Sequence, residues 1–239
     1  MTDDVRVLDS PSEVAEAVST ALIARLAAVQ SSGRTPSVVL TGGTVASLVH
    51  RAVAASVDGL DVDWHDVDFW FGDERYVDSW SEDRNAGQAR RDLLDHVDAD
   101  PRRVHEMPAA DSGLTLDEAS AAYADEIRAH APDGFDLVML GVGPDGHVAS
   151  LFPGFPQLVA DGETVPVTDS PKPPPERISL TFAALNRTPA VWFLVTGAAK
   201  AAAVAAARAS GADIGEVPAA GVRAAETIWW LDSEAATDH

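Results

Sequence analysis

The stretch Ser37-Val38-Val39-Leu40-Thr41-Gly42-Gly43-Thr44 decides the fold, because an apolar run passes through a double-glycine turn into a helical pattern. Residues 37–40 predict a short buried strand, and residues 45–56 predict the helix that follows. In open α/β sheets, ligands bind beyond the C-terminal ends of strands that lead into helices in this way. Glycines there let backbone N–H groups approach an anion, which the helix dipole also favours. The turn is therefore either an anion site or only a tight connection, and alone it favours neither.

The same alternation of strand and helix continues outward from this turn. Further strands are predicted at 67–71, 135–140, 165–167, 177–182, 190–196 and 227–231. Helices are predicted after the capping boxes at Ser10 to Glu13 and Thr115 to Glu118, over 85–97, and after Gly197. Apolar strands that alternate with helices indicate one α/β domain over residues 1–239, with a mostly parallel sheet covered by helices on both faces.

Composition narrows the classes of partner. The net charge of -21 makes nucleic acid and anionic membrane poor partners. No apolar run approaches the roughly 18 residues that span a bilayer. The absence of cysteine excludes disulfides and thiolate metal sites. Together with an acidic start that lacks the pattern of a secretory signal, it predicts a cytoplasmic protein.

Charged residues follow the strand at 67–71 directly. The segment Gly72-Asp73-Glu74-Arg75 is either a solvated loop or a group of reactive side chains at the ligand-binding edge of the sheet. In the second case Arg75 would contact an anion.

The loop Gly141-Val142-Gly143-Pro144-Asp145-Gly146-His147 is the most suggestive segment. A histidine beside an aspartate in a glycine-rich loop at a strand end is a candidate general base, although a lone histidine is usually only a surface or core residue. A metal site is the weaker interpretation, because the loop offers Asp145 and His147 and no clear third ligand. Ser150 lacks the Gly-x-Ser-x-Gly elbow, which argues against a serine hydrolase.

Lysine is rare in this chain, so the positions of Lys172 and Lys200 are informative. Lys200 falls in the first turn of a predicted helix, where a cation opposes the dipole by roughly 0.3–1 kcal/mol. It therefore faces an anion, or else extends into solvent. Arg177, at the start of a strand, is a further cation candidate. Lys172, within a proline-rich loop, is expected to be only solvated.

Taken in this order, these segments resemble the 6-phosphogluconolactonase family over nearly the whole chain. The matching segments are 40–44, 72–75, Asn85, 141–153, 177–181 and 197–200, and the most specific is Asp145-Gly146-His147-Val148-Ala149-Ser150-Leu151-Phe152-Pro153. The resemblance implies a Rossmann-like fold shared with glucosamine-6-phosphate deaminases and ribose-5-phosphate isomerases. It also implies hydrolysis of 6-phospho-D-glucono-1,5-lactone in the oxidative pentose phosphate pathway, with no dinucleotide.

The resemblance assigns roles to particular positions. It makes His147 the catalytic histidine, with the acidic residues Asp73 and Asp145 close to it. The positions that it expects to hold the phosphate or the sugar chain are Gly42, Gly43, Thr44, Arg75, Arg177 and Lys200. Arg84 departs from the family pattern, since many members have serine there. We expect no cofactor and no metal, and a monomer or weak homodimer.

Two other functions compete with lactone hydrolysis. Deaminases of this fold share Asp-Gly-His but continue with an asparagine–glutamate–proline run, in which the glutamate joins the acid–base relay. Phe152 stands at that position here and cannot carry a proton, which favours hydrolysis. A non-catalytic sugar-phosphate sensor would normally accompany a DNA-binding module, and this chain has no basic segment. For hydrolysis, we expect His147 to activate a water molecule and Asp145 or Asp73 to orient the imidazole of His147. We expect Arg75 or a backbone N–H to stabilise the oxyanion.

Overall fold

A parallel sheet of six strands forms the centre of the protein in the computed structural model, which describes residues 2–56 and 62–236. Its strands are β1 (Thr2–Leu8), β2 (Ser37–Leu40), β3 (Asp68–Phe71), β5 (Leu137–Gly141), β8 (Ala190–Val195) and β9 (Glu226–Asp232). Their order across the sheet is β1-β9-β8-β5-β2-β3, and every neighbouring pair is parallel. The predicted mostly parallel sheet is confirmed. Residues 1, 57–61 and 237–239 of the predicted single domain lie outside the described residues.

A second sheet of three strands is antiparallel and packs beside the first. It consists of β4 (Asp73–Arg75), β6 (Thr164–Val167) and β7 (Arg177–Leu180), in the order β4-β7-β6. The expectation that 177–182 is a strand of the main sheet is wrong. Residues 168–176, which join β6 to β7, contain no helix. Because a parallel pair of strands requires a longer crossover connection, β7 pairs with β6 in the antiparallel sheet instead. The strand ends at Leu180 because the Thr181 hydroxyl caps the next helix.

In the described part of the chain, six α-helices connect these strands. They are α1 (Pro11–Ser31), α2 (Thr44–Ala55), α3 (Asn85–Ala89), α4 (Leu116–His130), α5 (Phe182–Leu185) and α6 (Ala201–Arg208), and a π-helical turn over Arg90–Leu94 follows α3. Short 3-10 turns lie at Trp64–Asp66, Pro101–Arg103, Ala110–Ser112, Pro156–Val159, Ala198–Lys200 and Pro218–Gly221. Both predicted N-caps form, since the hydroxyls of Ser10 and Thr115 accept from the backbone N–H groups of Glu13 and Glu118.

Apolar side chains divide between the two faces of the main sheet. Along β2, Val38 and Leu40 enter the core under α1 and α2, whereas Val39 enters the core under α4 and α6. Because side chains alternate along a strand, one apolar run supplies both cores. The prediction of helices on both faces is thereby confirmed. Within the described residues, no helix is both long enough and apolar enough to cross a membrane.

Candidate active site

A polar cleft of about 310 Å³ opens where the C-terminal ends of β2 and β5 meet the second sheet. Its lining combines glycine turns, cations and one histidine: Thr41, Gly42, Gly43, Asp73, Arg75, Asn85, Gly141, Val142, Gly143, His147, Ala149, Lys172, Pro173, Arg177 and Lys200. Of the sequence-predicted site residues, only Thr44 and Asp145 are absent from this lining. Asp145 contacts a lining residue, His147, and Thr44 is exposed at the start of α2.

The loop after β5 holds an aspartate–histidine pair. Nδ1 of His147 lies 2.5 Å from Oδ1 of Asp145. The loop is closed by two backbone bonds of 2.9 Å, from the Gly143 N–H to the His147 carbonyl and from the Gly146 N–H to the Gly143 carbonyl. Gly146 has φ of +80°, and a Cβ on Gly143 would lie 1.9 Å from Nδ1 of His147. The loop therefore needs both glycines, one for its turn and one for room beside the imidazole.

Asp145 is held as a carboxylate. Partial burial alone would raise its pKa, but the hydrogen bond from His147 and the charges of His147 and Lys172 hold the pKa well below its usual range. Of the two acidic residues expected to orient the imidazole, it is Asp145 that contacts it.

Asp73 is engaged elsewhere in the cleft. Its Oδ2 accepts from the Ser150 hydroxyl at 2.7 Å and lies 3.9 Å from Nη1 of Arg177. The amide of Asn85 donates to its backbone carbonyl at 2.9 Å. Ser150 is fully buried and donates its hydroxyl to this carboxylate, while its expected lack of a nucleophilic role stays a prediction.

Asn85 links several parts of the cleft, although no role for it could be defined from the sequence. Its Oδ1 accepts from Nη1 of Arg75 at 2.9 Å, while its amide nitrogen reaches Asp73. A Cβ on Gly42 would lie 1.9 Å from that Oδ1, so the glycine turn after β2 approaches the amide closely. Arg75 also donates to the Asp83 carbonyl at 2.6 Å. The asparagine thereby helps to fix the side chain of Arg75 in the cleft.

Arg84, the departure from the family pattern, lies outside the cleft. Its buried guanidinium donates to the Met107 carbonyl at 2.7 Å and lies 3.8 Å from Glu74. Glu74 is buried as well, and it accepts from the backbone N–H groups of Arg75, Asn85 and Ala86. The pair supports the start of α3, which carries Asn85.

Three further cations line the cleft. Lys200, in the turn before α6, donates to the Val142 carbonyl at 2.8 Å, and Arg177 is buried with its Nη2 3.0 Å from the Lys172 carbonyl. Burial lowers the pKa of both Lys200 and Arg177. The expectation that Lys172 is only solvated is wrong, because its Nζ lies 3.3 Å from Nδ1 of His147. The proline-rich loop folds back over the cleft, which residue spacing could not show.

The turn after β2 has the geometry that its glycines predict. Gly43 has φ of +96° and precedes the first residue of α2, and the Thr41 hydroxyl accepts from the Gly141 N–H at 3.3 Å. The turns after β2 and β5 are thus tied together. Among the described residues, no group of three or more histidine, aspartate or glutamate side chains is arranged to hold a metal ion.

The fold and the cleft define an α/β protein with a small-molecule site, in which a histidine–aspartate pair lies among cations at the C-terminal edge of a parallel sheet. The chain belongs to the family described as glucosamine-6-phosphate isomerases/6-phosphogluconolactonase, whose model matches residues 9–230.

Relatives and solved structures agree with this membership. The chain is 45% identical to 6-phosphogluconolactonase of Streptomyces coelicolor, over 94% of this chain and 90% of the relative. It is 46% identical to 6-phosphogluconolactonase of Mycobacterium leprae, over 83% of each. The crystal structure of 6-phosphogluconolactonase from Thermotoga maritima matches with a TM-score of 0.85 and 27% identity, over 97% of this chain and 100% of that one. A monomeric glucosamine-6-phosphate deaminase shares the fold, with a TM-score of 0.81 at 16% identity, over 99% of this chain and 100% of that one.

Proposed function

We propose that this protein hydrolyses 6-phospho-D-glucono-1,5-lactone to 6-phospho-D-gluconate. The observation that carries the proposal is the 2.5 Å contact between His147 and Asp145 at the wall of a cleft that four cationic side chains line. A histidine–aspartate pair suits proton transfer, and the cations suit a phosphorylated substrate. The names of the relatives, at 45% and 46% identity, support the same activity.

In this mechanism His147 acts as general base. Asp145 accepts from Nδ1, which leaves Nε2 to take a proton from a water molecule as the water attacks the lactone carbonyl. The tetrahedral intermediate collapses when the C–O bond to the ring oxygen breaks, and His147 returns the proton to that oxygen. A positioned acid–base group of this kind typically contributes about 10²–10⁴ in rate.

The remaining predicted residues bind the substrate in this proposal. The phosphate is held by Lys200, Arg177 and the backbone of the turn formed by Gly42, Gly43 and Thr44, where the dipole of α2 adds to the attraction. Arg75, or a backbone N–H of the cleft, stabilises the oxyanion. Asp73 fixes the floor of the cleft through Ser150 and Asn85.

Phe152 supports hydrolysis over deamination. Its buried ring lies 4.7 Å from the imidazole of His147, centre to centre, at an interplanar angle of 40°. An apolar ring here gives the imidazole a dry face and supplies no second proton-transferring group. Ring opening of an amino sugar requires such a relay, whereas lactone hydrolysis needs only one base.

The test is to supply the purified protein with two substrates in parallel. We expect acid release from 6-phosphogluconolactone above the uncatalysed rate, and no ammonia release from glucosamine 6-phosphate. Ammonia release would establish a deaminase instead, and binding of both compounds without turnover would establish a sensor. We further propose that the enzyme acts in the cytoplasm, without a cofactor, as a monomer or weak homodimer.

A further inference from the structure

The only two lysines of the chain both reach the cleft, although the net charge is -21. Lys200 lies in the turn before α6 and donates to the Val142 carbonyl. Lys172 lies in the loop between β6 and β7, and its Nζ is 3.3 Å from Nδ1 of His147 and 3.7 Å from Oδ1 of Asp145. It is therefore in direct contact with the proposed catalytic pair.

The loop that carries Lys172 is fixed at that residue. The Ser170 hydroxyl donates to the Lys172 carbonyl at 2.9 Å, and the Lys172 N–H donates to Oγ of Ser170 at 3.3 Å. Buried Arg177 donates to the Lys172 carbonyl at 3.0 Å and to the Pro174 carbonyl at 3.2 Å. The backbone from which the Lys172 side chain extends is therefore held on both sides of its peptide unit.

An ammonium ion beside an imidazole has a definite electrostatic effect. The lysine ammonium group has N–H donors and no acceptor, so it cannot accept a hydrogen bond from a protonated imidazole. A proton gained by His147 meets the positive charge of Lys172 at 3.3 Å, whereas Asp145 attracts that proton. The two neighbours thus act in opposite directions on the protonation of His147.

We propose that Lys172 is a positioning residue for the reaction: its charge opposes protonation of His147, so that the imidazole stays available as a base at lower pH. The catalytic part of this inference rests on the proposed function. The other charged groups that face the cleft around His147 are Asp145 on its own loop, Lys200 before α6, and Asp73, Arg75 and Arg177 on the second sheet. Asp145 contacts Nδ1 of His147 at 2.5 Å, and Lys172 is the cation in contact with the same nitrogen, at 3.3 Å.

The first test is the pH–rate profile of three variants. We expect Lys172→Met to move the acid limb of kcat toward higher pH by about 0.5–1 unit, the size that a unit charge near solvent produces at this distance. Lys172→Arg keeps the charge and should keep the limb in place. Arg128→Met, on the exposed face of α4 and outside the cleft lining, makes the same change in net charge and should not move the limb.

A histidine-selective NMR titration without substrate separates this inference from the proposed function, because it does not depend on turnover. Loss of the signal in His147→Gln assigns the resonance. The titration midpoint of His147 should rise in Lys172→Met and stay unchanged in Arg128→Met, even if the protein proves not to be a lactonase. An unchanged midpoint and acid limb, with only KM raised, would overturn the proposal and make Lys172 a substrate contact alone.

Discussion

The imidazole of His147 has room because the neighbouring residue, Gly143, has no side chain. Gly143 faces the ring so closely that a Cβ would lie 1.9 Å from Nδ1 and 2.3 Å from Oδ1 of Asp145. His147 is itself anchored, through its backbone carbonyl and by packing against Phe152. The glycine therefore has a geometric role in the site rather than only a flexible one.

Gly143→Ala should displace the pair and reduce kcat by about 10²-fold, which is the cost of misplacing a catalytic group by roughly 1 Å. Gly87→Ala is the matched control, because a Cβ there meets nothing closer than 3.8 Å and the residue lies in α3. That control should keep its activity and gain up to about 1 kcal/mol in stability. Equal activity in both variants would show that the pair tolerates displacement.

Sequence reasoning found the residues that belong to one continuous motif. His147 and Asp145 stand two positions apart in a glycine-rich loop, so their contact could be foreseen. The sequence left open whether Asp73 or Asp145 orients the imidazole, and it assigned Lys172 to solvent. Both questions depend on how separate loops meet in space, which no local pattern records.

At the scale of elements, β4 and α3 are joined by the carboxylate of Glu74. Three backbone N–H groups donate to it at 2.7–2.9 Å, and Arg84 lies 3.8 Å away. Burial raises its pKa, while Arg84 and the backbone donors oppose that rise. The start of α3, and with it Asn85, depends on this one side chain.

Glu74→Gln should lower the free energy of unfolding by about 1–3 kcal/mol, because the amide leaves one or more buried donors without an acceptor. Glu82→Gln removes the same charge from an exposed side chain and should change stability by less than about 0.5 kcal/mol. Urea denaturation measures both variants. Equal midpoints would contradict the capping role of Glu74.

His105 joins β3 to α4. Its buried ring stacks on Trp70 at 3.8 Å, its Nδ1 lies 2.7 Å from Glu126, and its Nε2 lies 3.5 Å from Asp68. Burial alone would lower the pKa of His105, but the two carboxylates raise it above 6.5. A raised pKa means that the folded protein binds this proton more tightly than the unfolded chain does.

The contribution of His105 to stability is therefore complete below about pH 6.5 and is lost as the pH rises through its folded-state pKa. We expect the free energy of unfolding to fall as the pH rises above about 6.5, and to fall less steeply in His105→Gln. Denaturation at a series of pH values measures the two slopes. Parallel slopes would contradict the raised pKa.

Elements with a clear apolar pattern were predictable, and elements without one were not. The strand at 37–40 and the helices after Ser10 and Thr115 formed as expected. The sequence did not predict β1 or β4. β1 is an edge strand with polar residues along it, and β4 has three charged residues whose burial depends on partners distant in the chain.

Over the whole molecule, a strongly negative charge surrounds a cationic cleft. The net charge of -21 repels a phosphorylated substrate at long range, whereas the cations of the cleft attract it at short range. Salt screens the first effect more than the second, since the Debye length falls from about 30 Å at 0.01 M to about 10 Å at 0.1 M.

We therefore expect kcat/KM for 6-phosphogluconolactone to rise severalfold as potassium chloride increases from about 0.01 to 0.15 M, and to fall again near 1 M as contacts in the cleft are screened. Uncatalysed hydrolysis over the same salt series is the control. A steady decrease from the lowest salt would show that the local cations, not the net charge, govern encounter with the substrate.

The single-domain extent and the oligomeric state of the whole molecule stay predictions.

The measurement that tests the central claim most directly is steady-state hydrolysis of 6-phosphogluconolactone by the unmodified protein and by His147→Gln. We expect kcat to fall by about 10²–10⁴-fold, because the base is lost, with KM changed by less than about threefold, because the phosphate contacts remain. An unchanged kcat in a folded His147→Gln protein would contradict the account.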